Sequence, residues 1–300
     1  MKVFILLAVC AVGSLASEVV EGSQGPVNGV YGYLKNYAIP EAERIRAAEA
    51  QLLERSRIVG GVPAAPGQYP YQAGLLIDLI GFEGMGVCGG SLLSANRVVT
   101  AAHCWFDGQN QAWRFTVVLG SSTLFSGGVR VQSGVVATHP NWNPSLILHD
   151  IAVIYLMRVT HAIFFLFSVL IRPIALPTGD LLQQSFDGQS AIASGYGLTS
   201  DGGSISTNQF LSHVNLNVIT NSACSWAFPL ILNEGHLCTS GIGGVGTCRG
   251  DSGGPLTITR NNEPVLIGVT SFGSAFGCQT NMPAVFTRVT AYDNFLRQHL

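Results

Sequence analysis

Short runs in which apolar and polar residues alternate fill most of the chain after residue 57, with turns rich in Gly, Pro, Asn and Ser between them. Alternation with a period of two buries one set of side chains, which is typical of β-strands. Many short strands over roughly 240 residues predict an all-β barrel or sandwich. The strand-like runs are YQAGLLI, RVVTAAH, FTVVLG, VRVQSGVVAT, DIAVIYL, SAIASGYG, HVNLNVI, PLTIT, PVLIGVTSF and AVFTRV.

Two segments have a helical pattern instead. The stretch IPEAERIRAAEAQLLER, which ends just before residue 57, combines helix-forming residues and many charges with apolar positions at helical spacing. Near the C-terminus, Val289, Tyr292, Phe295 and Leu296 fall on one helical face. We therefore expect one helix before the β-rich region and one at its end.

The N-terminus is typical of a secretory signal. A lysine is followed by an apolar run too short for a stable membrane span and then by small residues, so we expect cleavage after Ala16. An uncleaved anchor is the alternative. Residues 17–57 would then form a propeptide. Cys10 leaves with the signal, and six cysteines in an oxidising compartment predict three disulfides, with 15 connectivities open at this point.

Composition narrows the class of protein. The chain has 300 residues, of which 47% are hydrophobic and 11% charged, as expected of a globular protein. From Ile58 onward it has nine Arg, 11 acidic residues and no Lys, so we see no basic patch for nucleic acid. Arginine stays protonated where lysine titrates, which fits an alkaline fluid such as a gut lumen. Compositional drift is the alternative explanation.

Three motifs carry candidate chemistry. By itself, GTCRGDSGGP could be a polar surface turn around Ser252. A nucleophilic serine needs a base and a group that orients the base, however, and TAAHC and HDIAVIYL supply His103 and Asp150. The chain order His, Asp, Ser is the order of the chymotrypsin barrels. The other histidines lie in no comparable motif, and neither HExxH nor Cys-x-x-Cys occurs, so we expect no metal and no cofactor.

Taken in order, IVGG, TAAHC, DIAV and GDSGGP resemble the chymotrypsin family of serine protease zymogens, in particular insect digestive chymotrypsins. The resemblance covers residues 58–300. It implies two six-stranded antiparallel β-barrels, at 58–176 and 177–300, with the active site between them and a C-terminal helix. It also makes His103 the general base, Asp150 its orienting partner and Ser252 the nucleophile.

The resemblance assigns further residues around the nucleophile. The backbone N–H groups of Gly250 and Ser252 would form the oxyanion hole. Ser271 would donate a hydrogen bond to the aspartate, and Ser271 and Gly273 would pair with the substrate backbone as an added strand. Phe272 stands where the family often has tryptophan. The implied disulfides are Cys88–Cys104, Cys224–Cys238 and Cys248–Cys278.

Activation and specificity follow from the same resemblance. A trypsin-like protease would cut after Arg57, and the new α-amino group of Ile58 would pair with Asp251 and order the oxyanion loop. The pocket base would be Gly246. The pocket walls would be Gly273 and Ala284. This uncharged, roomy pocket favours a large apolar or aromatic residue before the scissile bond, whereas an elastase-like pocket would have bulky walls. Arg249 at the rim has no firm role.

One segment departs from the family. Ala162–Ile171 is nearly all apolar and carries extra residues, so it is a surface patch, a partner site or an error in the predicted gene product. It also supports the alternative function, a catalytically inactive homologue that binds or regulates. We expect a monomeric, secreted enzyme with no membrane association. Its partners would be protein or peptide substrates, an activating protease and protein protease inhibitors.

Overall fold

The computed structural model describes residues 30–54, 64–157, 169–197, 210–274 and 277–300. Three α-helices, α1 to α3 in order, are Ile39–Glu54, Asn221–Cys224 and Asp293–Gln298. The strands, β1 to β13 in order, are Gln72–Leu79, Met85–Ser94, Arg97–Thr100, Ala112–Leu119, Val129–Ser133, Val136–Thr138, Ala152–Tyr155, Ser190–Gly195, Ser212–Ile219, His236–Thr239, Pro255–Arg260, Glu263–Phe272 and Ala284–Arg288.

The first seven strands form one antiparallel sheet in the order β5-β4-β1-β2-β3-β7-β6. The two edge strands, β5 and β6, follow each other in the chain, and the backbone bends at Gly134 between them. A Cβ at this glycine would come 2.8 Å from the Trp113 carbonyl oxygen, so the bend requires glycine. Past the bend, Tyr155 N–H donates to the Val135 carbonyl at 2.9 Å. Counted as one bent strand, β5 and β6 make this unit six-stranded, although its hydrogen-bond ladder does not close.

The last six strands form a closed antiparallel barrel in the order β10-β13-β12-β11-β8-β9. Its β11–β12 hairpin turns at Asn261 and Asn262, whose φ angles of 51° and 62° suit a tight turn. The chain ends in a single 3₁₀ turn, Val289–Tyr292, followed by α3. The all-β class and the C-terminal helix are confirmed, and the four residues expected on one face of that helix are all buried.

Three disulfides tie loops to these strands: Cys88–Cys104, Cys224–Cys238 and Cys248–Cys278. They are the pairs that the resemblance implies. The first joins β2 to the turn after β3, the second joins α2 to β10, and the third links the two loops that flank β11 and β12. Each closes a loop of a size that contributes roughly 3 kcal/mol in the chain-entropy model.

The segment before the barrels, residues 30–54, is called the pro-segment below. It runs through a π-helical turn, Leu34–Ala38, into α1, which packs on β2. Leu34, Ala38, Ala42 and Ile45 recur at helical spacing and are all buried. Burying each large apolar side chain is worth about 1.5–3 kcal/mol, so this face holds the pro-segment firmly against the first sheet.

Several predicted features lie outside the described residues, namely the signal peptide, the Arg57–Ile58 bond and residues 162–168 of the apolar run. Of the rest of that run, Val169 is exposed and Ile171 is buried in the core. Among the described residues, no helix has both the length and the apolar character needed to cross a bilayer. The division of the chain at residues 16, 57 and 176 stays a prediction.

Candidate active site

His103 and Asp150 form a buried pair at the ends of two neighbouring strands of the first sheet. His103 lies in a single 3₁₀ turn after β3, and Asp150 lies two residues before β7, which pairs with β3. Adjacent strands thus deliver both residues. Imidazole Nδ1 is 2.7 Å from Asp150 Oδ2, and the His103 backbone N–H donates to Oδ1 at 2.9 Å. A carboxylate can only accept here, so Nδ1 carries the proton and Nε2 is the basic nitrogen.

The second barrel completes the surroundings of Asp150. The Ser271 hydroxyl donates to Oδ2 at 2.5 Å, and the Thr287 hydroxyl donates to the Asp150 carbonyl at 2.7 Å. Burial opposes ionisation of this carboxyl. The nearby His103 and the hydrogen bonds from His103 and Ser271 outweigh burial, and they lower the pKa of Asp150 below its ordinary value. The aspartate is therefore ionised at neutral pH and holds the imidazole in one orientation.

Ser252 lies in the loop before β11, with its backbone fixed by the first sheet. Its carbonyl accepts from Gly89 N–H at 2.7 Å and lies 3.7 Å from Cys104 Sγ, next to the histidine. Gly253 N–H donates to the Thr270 carbonyl at 2.8 Å. The loop thus spans both sheets and holds the serine in the cleft between them.

Gly250, the predicted oxyanion-hole residue, has a backbone conformation that requires glycine. Its φ is 94°, in the left-handed region that glycine favours. A Cβ there would also come 2.9 Å from Gly197 Cα and 3.0 Å from Glu41 Cγ. A side chain at position 250 would therefore clash with both Gly197 and Glu41.

Asp251 is buried behind this loop, in space left by two glycines. Its Oδ1 accepts from Gly197 N–H and its Oδ2 from Cys248 N–H, each at 2.9 Å. A Cβ at Gly195 would fall 2.1 Å from Oδ1, so only glycine leaves room for the carboxyl. Burial is the largest cause that raises the pKa of Asp251 to about 6, and the negative charge of Glu41 adds to it. A cation brought to this carboxyl would be strongly stabilised.

The predicted pocket residues do not all line one cavity. Gly273 lines a cavity of about 100 Å³ together with Ser252 and Ser271, and a Cβ at Gly273 would meet nothing within 4 Å. Gly246 instead lines an adjoining cavity of about 220 Å³ that also contains Asp251. The two cavities share the walls Thr247, Cys248 and Cys278.

Ala284 lies apart from both cavities. It is on β13, paired with Thr239 and packed in the core of the second barrel. Within the described residues, Cys88, His103 and Cys104 are close enough together to hold a metal ion. Both cysteine sulfurs are engaged in a disulfide, so this group does not fit a metal.

Sequence reasoning missed that the pro-segment enters the site. Tyr33 and Tyr37 line the cavity that contains Ser252, and the Tyr33 ring packs edge-on against His103 at 4.8 Å between centroids. The signal was present as three tyrosines in YGYLKNY just before the predicted helix. Nothing in the spacing of these residues indicates where they dock, because their partners lie far away in the sequence.

Comparisons with known proteins agree with this geometry. The family model described as Trypsin matches residues 58–296. Serine protease 1 of Drosophila melanogaster is 38% identical over 249 residues, which cover 82% of this chain and 86% of that protein. Brachyurin of Leptuca pugilator is 37% identical and covers 80% of this chain and 97% of its own.

A solved structure is also similar. The structure described as HL collagenase superposes with a TM-score of 0.70 at 34% identity, covering 81% of this chain and 98% of its own. Collagenase of Hypoderma lineatum is 36% identical over 82% of this chain and 88% of that protein. With a family model that covers more than half of its length and relatives above 30% identity, the chain belongs to the trypsin family of serine proteases.

Proposed function

We propose that this protein is a secreted serine endopeptidase, made as a zymogen and activated by cleavage after Arg57. The observation that carries the proposal is the buried, ionised Asp150 hydrogen-bonded to His103, in the cleft where Ser252 and Gly250 lie. In a protein of this family, such an arrangement supports hydrolysis of peptide bonds in protein or peptide substrates.

The proposed reaction uses the roles that the resemblance gives these groups. His103 Nε2 takes the proton of the Ser252 hydroxyl as its oxygen attacks the carbonyl carbon of the scissile peptide. The N–H groups of Gly250 and Ser252 stabilise the resulting oxyanion. His103 gives the proton to the departing amine, which leaves an acyl-enzyme. Water then attacks through the same base, the acid product departs and Ser252 regains its proton.

Zymogen activation is supported by the environment of Asp251. Its carboxyl is buried and its pKa is raised to about 6, so ionising it there costs free energy. The α-amino group of Ile58, free after cleavage, would supply the missing positive charge. The ion pair would then hold the loop that carries Gly250 in its active form.

A chymotrypsin-like preference is supported by the open wall at Gly273 and the absence of charge at Gly246. Gly273 leaves the entrance free, and Gly246 offers no carboxylate to Lys or Arg. Asp251 lines the same cavity, but after activation it would be paired with the α-amino group of Ile58. We therefore propose cleavage after large apolar or aromatic residues. The predicted signal and the three disulfides support secretion, and the lysine-free domain supports a digestive role in an alkaline lumen.

The alternative is a catalytically inactive homologue that binds or regulates. It has one observation in its favour, namely that Tyr33 occupies the cleft beside Ser252. The enzyme proposal accounts for the same contact as a property of the uncleaved chain. It also accounts for the complete set of His103, Asp150 and Ser252, which a binding protein would not need.

The test is limited trypsin digestion of the secreted chain, with N-terminal sequencing to identify a new IVGG terminus. Activity is then assayed on chromogenic peptides with Phe or Leu before the scissile bond. We expect Ser252→Ala to lower kcat by about 10⁵- to 10⁶-fold. Ser145→Ala, on an exposed serine, is the matched control. No hydrolysis from a correctly cleaved chain would favour the binding protein.

A further inference from the structure

The pro-segment places a side chain in the cavity beside Ser252. The Tyr33 side chain is buried and lines the cavity that contains Ser252, and its hydroxyl donates to the Val87 carbonyl at 3.5 Å. Burial raises the pKa of this phenol, so it docks as a neutral group. A substrate would need the same cavity to reach the Ser252 hydroxyl. A substrate and Tyr33 therefore cannot occupy the site together.

Tyr33 also packs against the general base. Its ring lies edge-on to the His103 imidazole. Among the described residues, no hydrogen-bond partner lies within reach of His103 Nε2, although that atom is fully buried. A buried nitrogen without a partner costs free energy, and access to Ser252 would satisfy it. Removal of Tyr33 is thus needed before the base can act.

Arg249 at the rim of the cleft contacts the pro-segment. Its guanidinium carbon lies 4.7 Å from the centre of the Tyr37 ring, within the range of a cation–π contact. Its charge also stabilises the Glu41 carboxylate, which is buried and accepts from Arg44 Nε at 3.0 Å. The residue without an assigned role in the GTCRGDSGGP motif is therefore a docking residue for this segment.

Two further carboxylates fix the segment away from the cleft. Leu34 N–H donates to Asp107 Oδ2 at 2.8 Å. At the other end, Glu49 accepts from Phe125 N–H at 2.9 Å, from Leu124 N–H and from the Ser126 hydroxyl at 3.3 Å. The pro-segment is therefore held at both ends and along its apolar face, and Tyr33 is not an isolated contact.

We propose that the pro-segment is an inhibitor of the active site, and that after cleavage at Arg57 it still binds the mature enzyme as a reversible competitive inhibitor. This inference rests on the proposed function. Residues 17–57 contain no cysteine, so no disulfide keeps them attached after cleavage. The occupant of the cleft then depends on the concentrations of free propeptide and substrate.

The test uses chain cleaved after Arg57 and freed of propeptide by gel filtration, with a synthetic peptide of residues 17–57 added back. We expect the peptide to raise the apparent KM and leave kcat unchanged. Tyr33→Phe in the peptide removes the phenol hydroxyl and should weaken inhibition about 2- to 10-fold. Tyr33→Ala also removes the ring and should weaken it about 100-fold or more.

Matched peptides control for composition. Tyr31→Phe removes a hydroxyl two residues away and is the control for Tyr33→Phe. Glu43→Gln changes an exposed carboxylate and is the control for Glu41→Gln, which changes a buried one. The Tyr31→Phe and Glu43→Gln peptides should inhibit as the unchanged peptide does. Inhibition that lowers kcat alone, or equal weakening by Tyr33→Phe and Tyr31→Phe, overturns the inference.

Failure of the proposed function is distinguishable from failure of this inference. If the separated chain hydrolyses nothing, calorimetry on the same protein still measures peptide binding. Binding that weakens with Tyr33→Ala then supports the docking site in an inactive homologue. No binding at micromolar peptide overturns the inference, whatever the activity of the chain.

Discussion

Glu49 offers a test of how the pro-segment is held, well away from the catalytic groups. The substitution Glu49→Gln keeps the shape of the side chain but replaces one acceptor oxygen with an NH₂ group, which faces the backbone N–H of Phe125. Hydrogen bonds to a charged group contribute about 1.5–3 kcal/mol. The carboxylate serves two backbone N–H groups and one hydroxyl, and the amide carbonyl can still serve some of them.

Part of that gain is already offset in the wild type. Burial raises the pKa of Glu49 above its ordinary value, although the N–H groups of Phe125 and Leu124 act against the rise. Removing the charge therefore also removes a desolvation cost. Unlike a protonated carboxyl, which keeps acceptor capacity beside its O–H, the amide NH₂ only donates. We therefore expect a net loss near the lower end, about 1.5 kcal/mol, which is about a tenfold change in the opening equilibrium of the pro-segment.

The assay is hydrogen exchange of the uncleaved chain, followed by mass spectrometry. Amides of α1 should exchange about ten times faster in Glu49→Gln, with exchange in the closed barrel unchanged. Glu43→Gln, on the exposed face of the same helix, is the control and should leave exchange unchanged. Equal exchange in the two variants would refute the role given to the carboxylate.

The pH dependence gives an independent check on the sign. A carboxyl whose pKa is raised on docking binds more protons in the docked state, so docking weakens as pH rises from the ordinary pKa through the raised one. Exchange of α1, corrected for intrinsic rates, should therefore speed up over that window. The Glu49→Gln variant should lose the part of this pH dependence that Glu49 causes and keep the part that Glu41 causes.

Three further predictions concern the cleaved enzyme. Ser271→Ala removes a hydrogen bond to Asp150, so kcat should fall about tenfold with KM unchanged in steady-state assays. Gly273→Val fills the open wall, and the ratio of kcat/KM for Phe over Ala substrates should fall at least about 100-fold. The Asp251 carboxylate should raise the pKa of the paired Ile58 amine by more than burial lowers it. The stabilisation is then lost only as pH rises through the raised pKa, so a pH profile should show activity persisting above pH 9.

Each of these predictions has a contradicting result. A change in KM with kcat intact after Ser271→Ala would mean that the hydroxyl serves substrate binding, and Ser145→Ala is its matched control. An unchanged Phe-to-Ala ratio after Gly273→Val would place the specificity pocket elsewhere. A collapse of kcat/KM between pH 8 and pH 9 would contradict the alkaline lumen.

The strands that alternate clearly could be predicted, whereas the glycine-rich β2 and the four-residue β10 were missed. No run predicted β2, because MGVCGGSLLS has little alternation. In the structure a Cβ at Gly89 would come 2.9 Å from Gly254 Cα, and one at Gly90 would come 2.9 Å from Val98 Cγ1. These glycines are set by close approach between distant parts of the chain, which a local pattern does not show.

The candidate site was predictable where motifs carry it and not where docking decides it. His103, Asp150 and Ser252 lie in recognisable motifs. The contacts of Tyr33 and Arg249 depend on how the pro-segment packs against residues up to about 200 positions away in the sequence. Side-chain contacts across such separations follow from tertiary packing rather than from propensity or periodicity.

The Tyr33 contact has a consequence for inhibitor design. A peptide that places a carbonyl in the oxyanion hole offers Ser252 a carbon to attack, so the enzyme can hydrolyse it. The Tyr33 phenol fills space beside Ser252 and has no electrophilic carbon. A helical ligand built on YGYLKNY would therefore block the cleft without becoming a substrate there, and its selectivity would come from the surface around Arg249 rather than from the pocket that relatives share.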